Sequence, residues 1–145
     1  YFISIIRNGY AVAGGIRKRS QPALWGNLIY KDKYPIELCA EQWRESGKII
    51  TRNKKRVDRF MQICYEDLVD KPNVVIKDLL DFLSVPPLKN DLNKLSWTIH
   101  GKESPIINMN HLSFKRLSEK DLDIIEDVAG DVLTKYSYRR PKLNI

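Results

Sequence analysis

The sequence predicts an α/β fold with a parallel sheet. Short apolar runs rich in β-branched residues alternate with longer stretches in which apolar residues recur at helical spacing. Along the 145 residues the order is strand, helix, helix, strand, helix, and one more helix lies near the C-terminus. Parallel strands need such long crossover connections, which are usually helical. The length suits one domain, and we predict a single domain over residues 1–145.

The first half of the chain contains one predicted strand and two predicted helices. The run Tyr1–Ile6 is typical of a buried strand, and Tyr10–Arg19 is compatible with a helix. The segment Ser20–Lys33 is rich in turn residues and carries Trp25, so we interpret it as a loop that forms a lid or a substrate wall. Apolar residues at helical spacing then predict a long amphipathic helix over Ile36–Arg52.

The second half begins with another predicted buried strand, Phe60–Tyr65. A helix is expected to begin within Asp70–Asn73, where cap residues and a proline occur together, and to stop before Pro86. The segment Leu88–Phe114 is predicted to be irregular because it is polar and lacks a clear period. Ser118, with an acidic residue three positions later, predicts a capping box at the start of the last helix.

The composition restricts the function classes. The net charge of +7 favours an anionic partner or serves solubility, and no nucleic-acid-binding signature accompanies it. No apolar run reaches the length of a membrane span, so we expect no membrane partner for this chain. Cys39 and Cys64 are interpreted as buried free thiols, and we expect no metal site because His100 and His111 lie far apart without nearby cysteines.

Arg7 is the first candidate for a binding role. It follows the first strand and precedes a helix, which is the position at which open α/β sheets build anion sites. The alternative is a structural arginine paired with Glu66 or Asp67. Tyr65 is predicted to lie near the same sheet edge, where it would stack on a base, donate its hydroxyl, or serve as a half-buried core aromatic.

Other candidates are less specific. The pair Gly14 and Gly15 lies inside a predicted helix at a cost of about 1 kcal/mol per glycine, which requires either close packing or the approach of a ligand. Arg19 is expected about two turns or more beyond the anion site and is either a ligand contact or a solvated arginine. Lys115 and Arg116 would form a cationic clamp or be solvated.

Several of these segments together resemble the family of sulfotransferases that use 3′-phosphoadenosine-5′-phosphosulfate as the donor. The segment 63–72 (Ile-Cys-Tyr-Glu-Asp-Leu-Val-Asp-Lys-Pro) carries the most specific similarity. The segments 5–9 and 79–86, and the last helix over 117–138, are also similar to the family pattern. The bacterial and tyrosylprotein branches are the most similar.

The resemblance implies a P-loop NTPase-like, three-layer fold with a parallel sheet and a sulfuryl transfer to a hydroxyl or amine acceptor, with no metal. By this resemblance Arg7 would bind the 3′-phosphate, and Gly15 occupies the position at which the family usually has a serine. The full set of implied nucleotide-binding residues is Arg7, Gly15, Arg19, Tyr65, Ser104 and Lys115.

The family's N-terminal strand, its 5′-phosphosulfate loop and its catalytic base have no counterpart in this sequence and are expected upstream of Tyr1. We therefore expect an N-terminally truncated fragment that is inactive alone. A bacterial source would imply a cytoplasmic protein. The residues alone leave two alternatives open: a kinase-like P-loop nucleotide-binding protein, and a basic, non-catalytic module that binds polyanions or nucleic acid.

Overall fold

The computed structural model describes residues 1–99 and 101–143, without the side chains of Ile99 and Lys102. His100, one of the two histidines considered above, lies outside the described residues. The chain groups into two compact units. The first contains residues 1–7 and the described part of 53–108, and the second contains residues 8–52 and the described residues from 109 onward. The single domain over 1–145 stays a prediction.

The first unit is built on two parallel strands, β1 (Phe2–Ile6) and β2 (Phe60–Cys64). Their register pairs Phe2 with Phe60 at one end and Ile6 with Cys64 at the other. The two phenylalanine rings stack with their centroids 5.1 Å apart, which reinforces this register. Helices and a parallel strand pair confirm the predicted α/β composition, while the three-layer, P-loop-like detail stays a prediction.

Burial of β1 differs from the prediction. Ser4 and Ile6 are buried, whereas Phe2, Ile3 and Ile5 are exposed. An apolar run on both faces is typical of a strand covered on both sides. Because three of the five side chains of β1 are exposed, the covering that the run predicts is only partly present in the described part of the chain.

Two helices follow β2 directly, α3 (Tyr65–Asp70) and α4 (Pro72–Leu83). Pro72 lies in the first turn of α4, where its missing N–H costs no hydrogen bond. The helix ends at Ser84, which adopts a left-handed conformation with φ 56°. The predicted stop before Pro86 is confirmed.

The segment predicted to be irregular contains short elements instead. A 3₁₀ turn at Leu92–Lys94 precedes an antiparallel hairpin of β3 (Trp97–Ile99) and β4 (Lys102–Ser104). Gly101, with φ 76°, lies between these strands. Strands of three residues are too short to show an alternating pattern, which explains why the sequence did not reveal them.

The second unit is helical. It contains α1 (Gly9–Arg19), a 3₁₀ turn at Pro22–Trp25 and all but the last two residues of α2 (Ile36–Lys54), and it continues with α5 (Asn110–Phe114) and α6 (Glu119–Lys135). The first, second and last helices agree with the predicted segments to within three residues at each end. Because α1 contacts both α5 and α6, the C-terminal helices are folded onto the start of this unit.

Capping residues mark where two of these helices begin, and a glycine allows two of them to approach closely. The Asn8 side chain accepts a hydrogen bond from the Ala11 N–H at the start of α1. At the start of α6, Ser118 and Asp121 form the predicted capping box. Where α2 meets α6, a Cβ added to Gly47 would lie 2.6 Å from a Val132 methyl carbon, so the two helices approach closely there.

Within the described part of the chain, every helix is either too short or too polar to cross a lipid bilayer.

Candidate functional site

The carboxyl end of the parallel strand pair brings two candidate residues together. Because Ile6 pairs with Cys64, the residues that follow, Arg7 and Tyr65, emerge side by side from the sheet. The guanidinium carbon of Arg7 lies 4.4 Å from the centroid of the Tyr65 ring. A cation over an aromatic face at this distance is attracted by the ring quadrupole, typically by about 0.5–2 kcal/mol. The sequence-based placement of both residues at one sheet edge is confirmed.

Tyr65 lies on a different element from the one that the sequence predicted. It was predicted as the last residue of a strand, but it is the first residue of α3, because β2 ends at Cys64. Glu66 and Asp67 lie in the first turn of this helix, where their negative charge is favourable near the positive end of the helix dipole. The Tyr65 hydroxyl donates to the carbonyl oxygen of Ile107, 3.4 Å away, which links α3 to the segment after the hairpin.

The half-buried Arg7 suits the recognition of an oxyanion. The contact with Tyr65 uses the ring face, whereas a guanidinium donates hydrogen bonds through N–H groups in its own plane. The contact with the ring therefore restricts where the Arg7 guanidinium lies. A planar fork held in this way matches the spacing of two phosphate oxygens.

The opposite end of the same sheet repeats this stacking. Arg59 precedes β2, and its guanidinium carbon lies 4.6 Å from the Tyr1 ring centroid. The Arg59 side chain also donates a hydrogen bond to the Tyr1 hydroxyl. The unit thus presents two arginine–tyrosine pairs, one at each end of the strands, and the second provides a matched control for the first.

The two acidic residues that follow Tyr65 have different surroundings. The Cys64 thiol donates to Glu66 Oε2 across 3.1 Å, and Asp67 is exposed. Both cysteines are free thiols, as predicted, and Cys39 is buried. Cys64 is only half-buried, because it ends a strand whose side chains are mostly partly exposed.

The two adjacent glycines of α1 have different surroundings. A Cβ on Gly14 would lie 3.1 Å from the Ser113 carbonyl oxygen and 3.2 Å from a Leu117 methyl carbon. A Cβ on Gly15 would meet no atom of the described residues within 4 Å, apart from its own helical turn. Close packing therefore accounts for Gly14 and not for Gly15, so the position assigned to a serine by family resemblance has room for one.

Two arginines near the end of α1 have different roles. Arg17 makes a two-pronged ion pair with Asp121, with N–O distances of 2.6 and 2.9 Å, and also donates to the Arg116 carbonyl oxygen. Burial alone would raise the pKa of Asp121, but hydrogen bonds from Arg17 and Ser118 outweigh it and hold this pKa below its ordinary value. Arg19, the predicted ligand contact, is exposed at the last position of the helix.

The structural role of Arg17 was missed from sequence, because the three basic residues that end α1 are indistinguishable by type or spacing.

The remaining predicted site residues lie on short elements. Ser104 ends β4 and is half-buried, and its hydroxyl donates to the Pro105 carbonyl oxygen at 3.0 Å. Lys115 is exposed at the end of α5. Arg7, Tyr65 and Ser104 belong to the first unit, whereas Gly15, Arg19 and Lys115 belong to the second. The only pair among these six that the described contacts bring together is Arg7 with Tyr65.

No group of three or more His, Cys, Asp or Glu side chains among the described residues is arranged to hold a metal ion.

Comparison with known proteins identifies a structural relative. No protein-family model and no curated protein matches the sequence. A solved structure of the sulfotransferase domain from the curacin biosynthetic pathway matches with a TM-score of 0.58 at 24% sequence identity. The match covers 96% of this chain and 54% of that domain, so the chain spans about half the length of the structure it matches. The chain therefore has the fold of part of a sulfotransferase domain.

Proposed function

We propose that this chain forms the part of a sulfotransferase that binds the 3′-phosphate of 3′-phosphoadenosine-5′-phosphosulfate. In the reaction, the bond between sulfur and the bridging phosphate oxygen breaks as a new bond forms from sulfur to an acceptor oxygen or nitrogen. The acceptor proton passes to a base, and 3′,5′-adenosine diphosphate leaves. Catalysis of such a transfer rests largely on positioning and on stabilisation of charge.

The observation that carries this proposal is the position of Arg7. Its guanidinium lies at the carboxyl end of a parallel strand and stacks on Tyr65, the first residue after the neighbouring strand. Ligands of open α/β sheets bind beyond the carboxyl ends of the strands. An arginine held there with its donor groups in a fixed plane would bind a terminal phosphate through two oxygens.

The other residues assigned by family resemblance stay expectations. Gly15 has space for a phosphate oxygen or for a serine hydroxyl, because among the described residues no atom outside its own helical turn lies within 4 Å of its Cβ position. Arg19 and Lys115 are exposed cations of the second unit, and Ser104 is a half-buried hydroxyl of the first. None of them is required for the role given to Arg7.

Two other functions are compatible with a basic α/β chain, and ligand chemistry separates them. A kinase-like nucleotide-binding protein would recognise the 5′-phosphates and ignore a 3′-phosphate. A polyanion-binding module would bind nucleic acid with an affinity that falls steeply with salt and with little preference for one phosphate position. The proposed function instead requires the 3′-phosphate.

Calorimetric titration of the purified chain tests the proposal. The ligands are 3′,5′-adenosine diphosphate, 5′-AMP, adenosine 5′-diphosphate and a short single-stranded oligonucleotide, each at low and at physiological salt. We expect 3′,5′-adenosine diphosphate to bind at least about tenfold more tightly than 5′-AMP, since a charged hydrogen-bonded contact contributes about 1.5–3 kcal/mol.

Three results would contradict the proposal. Equal affinity for 3′,5′-adenosine diphosphate and 5′-AMP would remove the role of the 3′-phosphate. A preference for adenosine 5′-diphosphate would favour the kinase-like protein. Binding of the oligonucleotide that is stronger than nucleotide binding and is lost at physiological salt would favour the polyanion-binding module.

A further inference from the structure

The loop between α1 and α2 displays an unusual amount of apolar surface. Four large apolar side chains within the 3₁₀ turn and the residues after it are strongly exposed: Leu24 (77%), Trp25 (63%), Leu28 (93%) and Ile29 (81%). Isolated exposed apolar residues are ordinary, but a contiguous group in one short segment marks an interaction surface. We call these four residues the apolar tip.

The loop is held by its own hydrogen bonds. The Asn27 side-chain oxygen accepts from the N–H groups of Ile29 and Tyr30, at 2.9 and 2.8 Å, and the Asn27 N–H donates to the Pro22 carbonyl oxygen. Gly26 adopts a left-handed conformation with φ 74°, which a glycine reaches without strain. The exposure of the apolar tip is therefore a property of a defined turn.

Basic residues surround the base of this loop. The Lys33 ammonium donates to the carbonyl oxygens of Lys18 and Ser20, both at 2.8 Å, which ties the far end of the loop to the end of α1. The backbone N–H of Ala23 donates to the Lys31 carbonyl oxygen, so Lys31 also lies beside the turn. These contacts place the Lys33 ammonium and the backbones of Lys18 and Lys31 at the base of the apolar tip.

We propose that the apolar tip inserts into the surface of an anionic lipid bilayer. Arg17 is paired with Asp121, but residues 18–33 still carry four lysines and arginines against one aspartate, so the charge around the tip complements anionic headgroups. The tip is a short turn with strongly exposed side chains, and a bilayer surface accepts such a segment without a matching groove. Trp25 belongs to the residue type that is enriched at membrane–water interfaces.

This surface contact needs no membrane-spanning helix. Peripheral proteins bind bilayers by combining shallow apolar insertion with attraction of basic residues to anionic lipids. The proposal goes beyond sulfuryl transfer, and it revises the expectation from the sequence that a membrane is no partner of this chain.

Vesicle co-sedimentation tests the proposal. The chain is mixed with vesicles of phosphatidylcholine alone, or of phosphatidylcholine with phosphatidylserine, at low and at physiological salt. We expect binding to the anionic vesicles that weakens with salt, and little binding to the neutral ones. Replacing Lys18 or Lys31 with glutamine should weaken binding about fivefold each, since a basic residue near such a surface contributes about 1 kcal/mol.

Apolar variants localise the contact. Leu28→Ser/Ile29→Ser should weaken binding about thirtyfold or more, because the variant lacks two large apolar side chains whose transfer out of water favours binding. The matched control Val85→Ser/Leu88→Ser removes exposed apolar surface from the first unit and should leave binding unchanged. Thermal unfolding of both variants should match that of the parent chain, because all four side chains are exposed.

Tryptophan fluorescence gives a second, site-resolved signal. Anionic vesicles should shift the emission to shorter wavelength, and the shift should disappear in Trp25→Phe while sedimentation persists.

The proposal fails if anionic vesicles bind no protein, if neutral vesicles bind equally well, or if the Leu28→Ser/Ile29→Ser variant binds like the control. It also fails if sedimentation velocity without lipid shows a dimer that this variant dissociates, because a second copy of the chain would then cover the tip.

Discussion

The adjacent glycines of α1 provide a sharp test of the structure, because the same substitution should have opposite effects one residue apart. Alanine is favoured over glycine in a helix interior by about 1 kcal/mol. At Gly15 a new methyl group would meet no atom of the described residues within 4 Å outside its own turn, so nothing opposes this gain. We expect Gly15→Ala to stabilise the chain by about 0.5–1 kcal/mol.

At Gly14 the same methyl group would be crowded. It would lie 3.1 Å from the Ser113 carbonyl oxygen and 3.2 Å from a methyl carbon of the buried Leu117. Overpacking of this kind costs about 1–3 kcal/mol, which cancels or exceeds the gain in helix propensity. We therefore expect Gly14→Ala to be neutral or destabilising by up to about 2 kcal/mol, and to differ from Gly15→Ala by at least about 1 kcal/mol.

Urea unfolding followed by circular dichroism measures this difference. With a slope of about 1–3 kcal/mol per molar urea, a gap of about 1 kcal/mol separates the two midpoints by about 0.3–1 M. Equal midpoints would refute the different packing of the two positions. A destabilised Gly15→Ala would show that a neighbouring group fills the space above Gly15, and it would remove the room available there for a phosphate or a serine.

Three further predictions follow from the described contacts. Gly15→Ser should raise the affinity for 3′,5′-adenosine diphosphate by up to about tenfold and leave that for 5′-AMP unchanged, as measured by calorimetry; equal changes would contradict the assignment of this position to the 3′-phosphate. Because Arg17 holds the pKa of Asp121 below its ordinary value, the pair should stabilise the fold fully above pH about 3.9 and progressively less as pH falls through the lower folded pKa. Arg17→Gln should therefore flatten the acid limb of a plot of urea midpoint against pH, and an unchanged limb would argue against the pair. Gly47→Ala should destabilise the chain by about 1–3 kcal/mol, with partial recovery in Gly47→Ala/Val132→Ala; a neutral single variant in thermal unfolding would contradict the close approach of α2 and α6.

The helices were predictable because their signals are local. An apolar period of 3.6 residues fixed α2 and α6, and Ser118 with Asp121 marked the start of the last helix. Proline and the end of apolar periodicity marked the bounds of α4. Each signal lies within a few residues of the element that it specifies, so no tertiary information was needed.

The strand-to-helix junction at Tyr65 was predicted incorrectly for an identifiable reason. Ile63, Cys64 and Tyr65 continue an apolar run that is typical of a strand, and no side-chain cap marks the beginning of α3. The available signal was the acidic pair Glu66 and Asp67, which suits a first helical turn. These two residues were interpreted as possible partners of Arg7.

The site was predictable in part. Arg7 and Tyr65 follow two parallel strands, so their position at one sheet edge could be predicted from the sequence. Their direct contact could not, because it depends on the register of the two strands. Burial of β1 depends on which neighbours cover it, and an apolar run does not specify them. The surroundings of Ser104 and Lys115 depend on short elements that have no periodic signal.

The central claim is that Arg7 binds the 3′-phosphate of the nucleotide. A double-mutant cycle tests it directly, with Arg7→Ala as one change and removal of the 3′-phosphate from the ligand as the other. Affinities of the parent chain and the variant for 3′,5′-adenosine diphosphate and 5′-AMP give the coupling energy by calorimetry. Arg59→Ala is the control, since Arg59 stacks on Tyr1 at the opposite end of the same sheet.

We expect a coupling of at least about 1.5 kcal/mol for Arg7 and none for Arg59. Arg7→Ala should weaken the binding of 3′,5′-adenosine diphosphate by about tenfold or more and leave the affinity for 5′-AMP unchanged. A coupling near zero for Arg7, or equal couplings for both arginines, would contradict the claim.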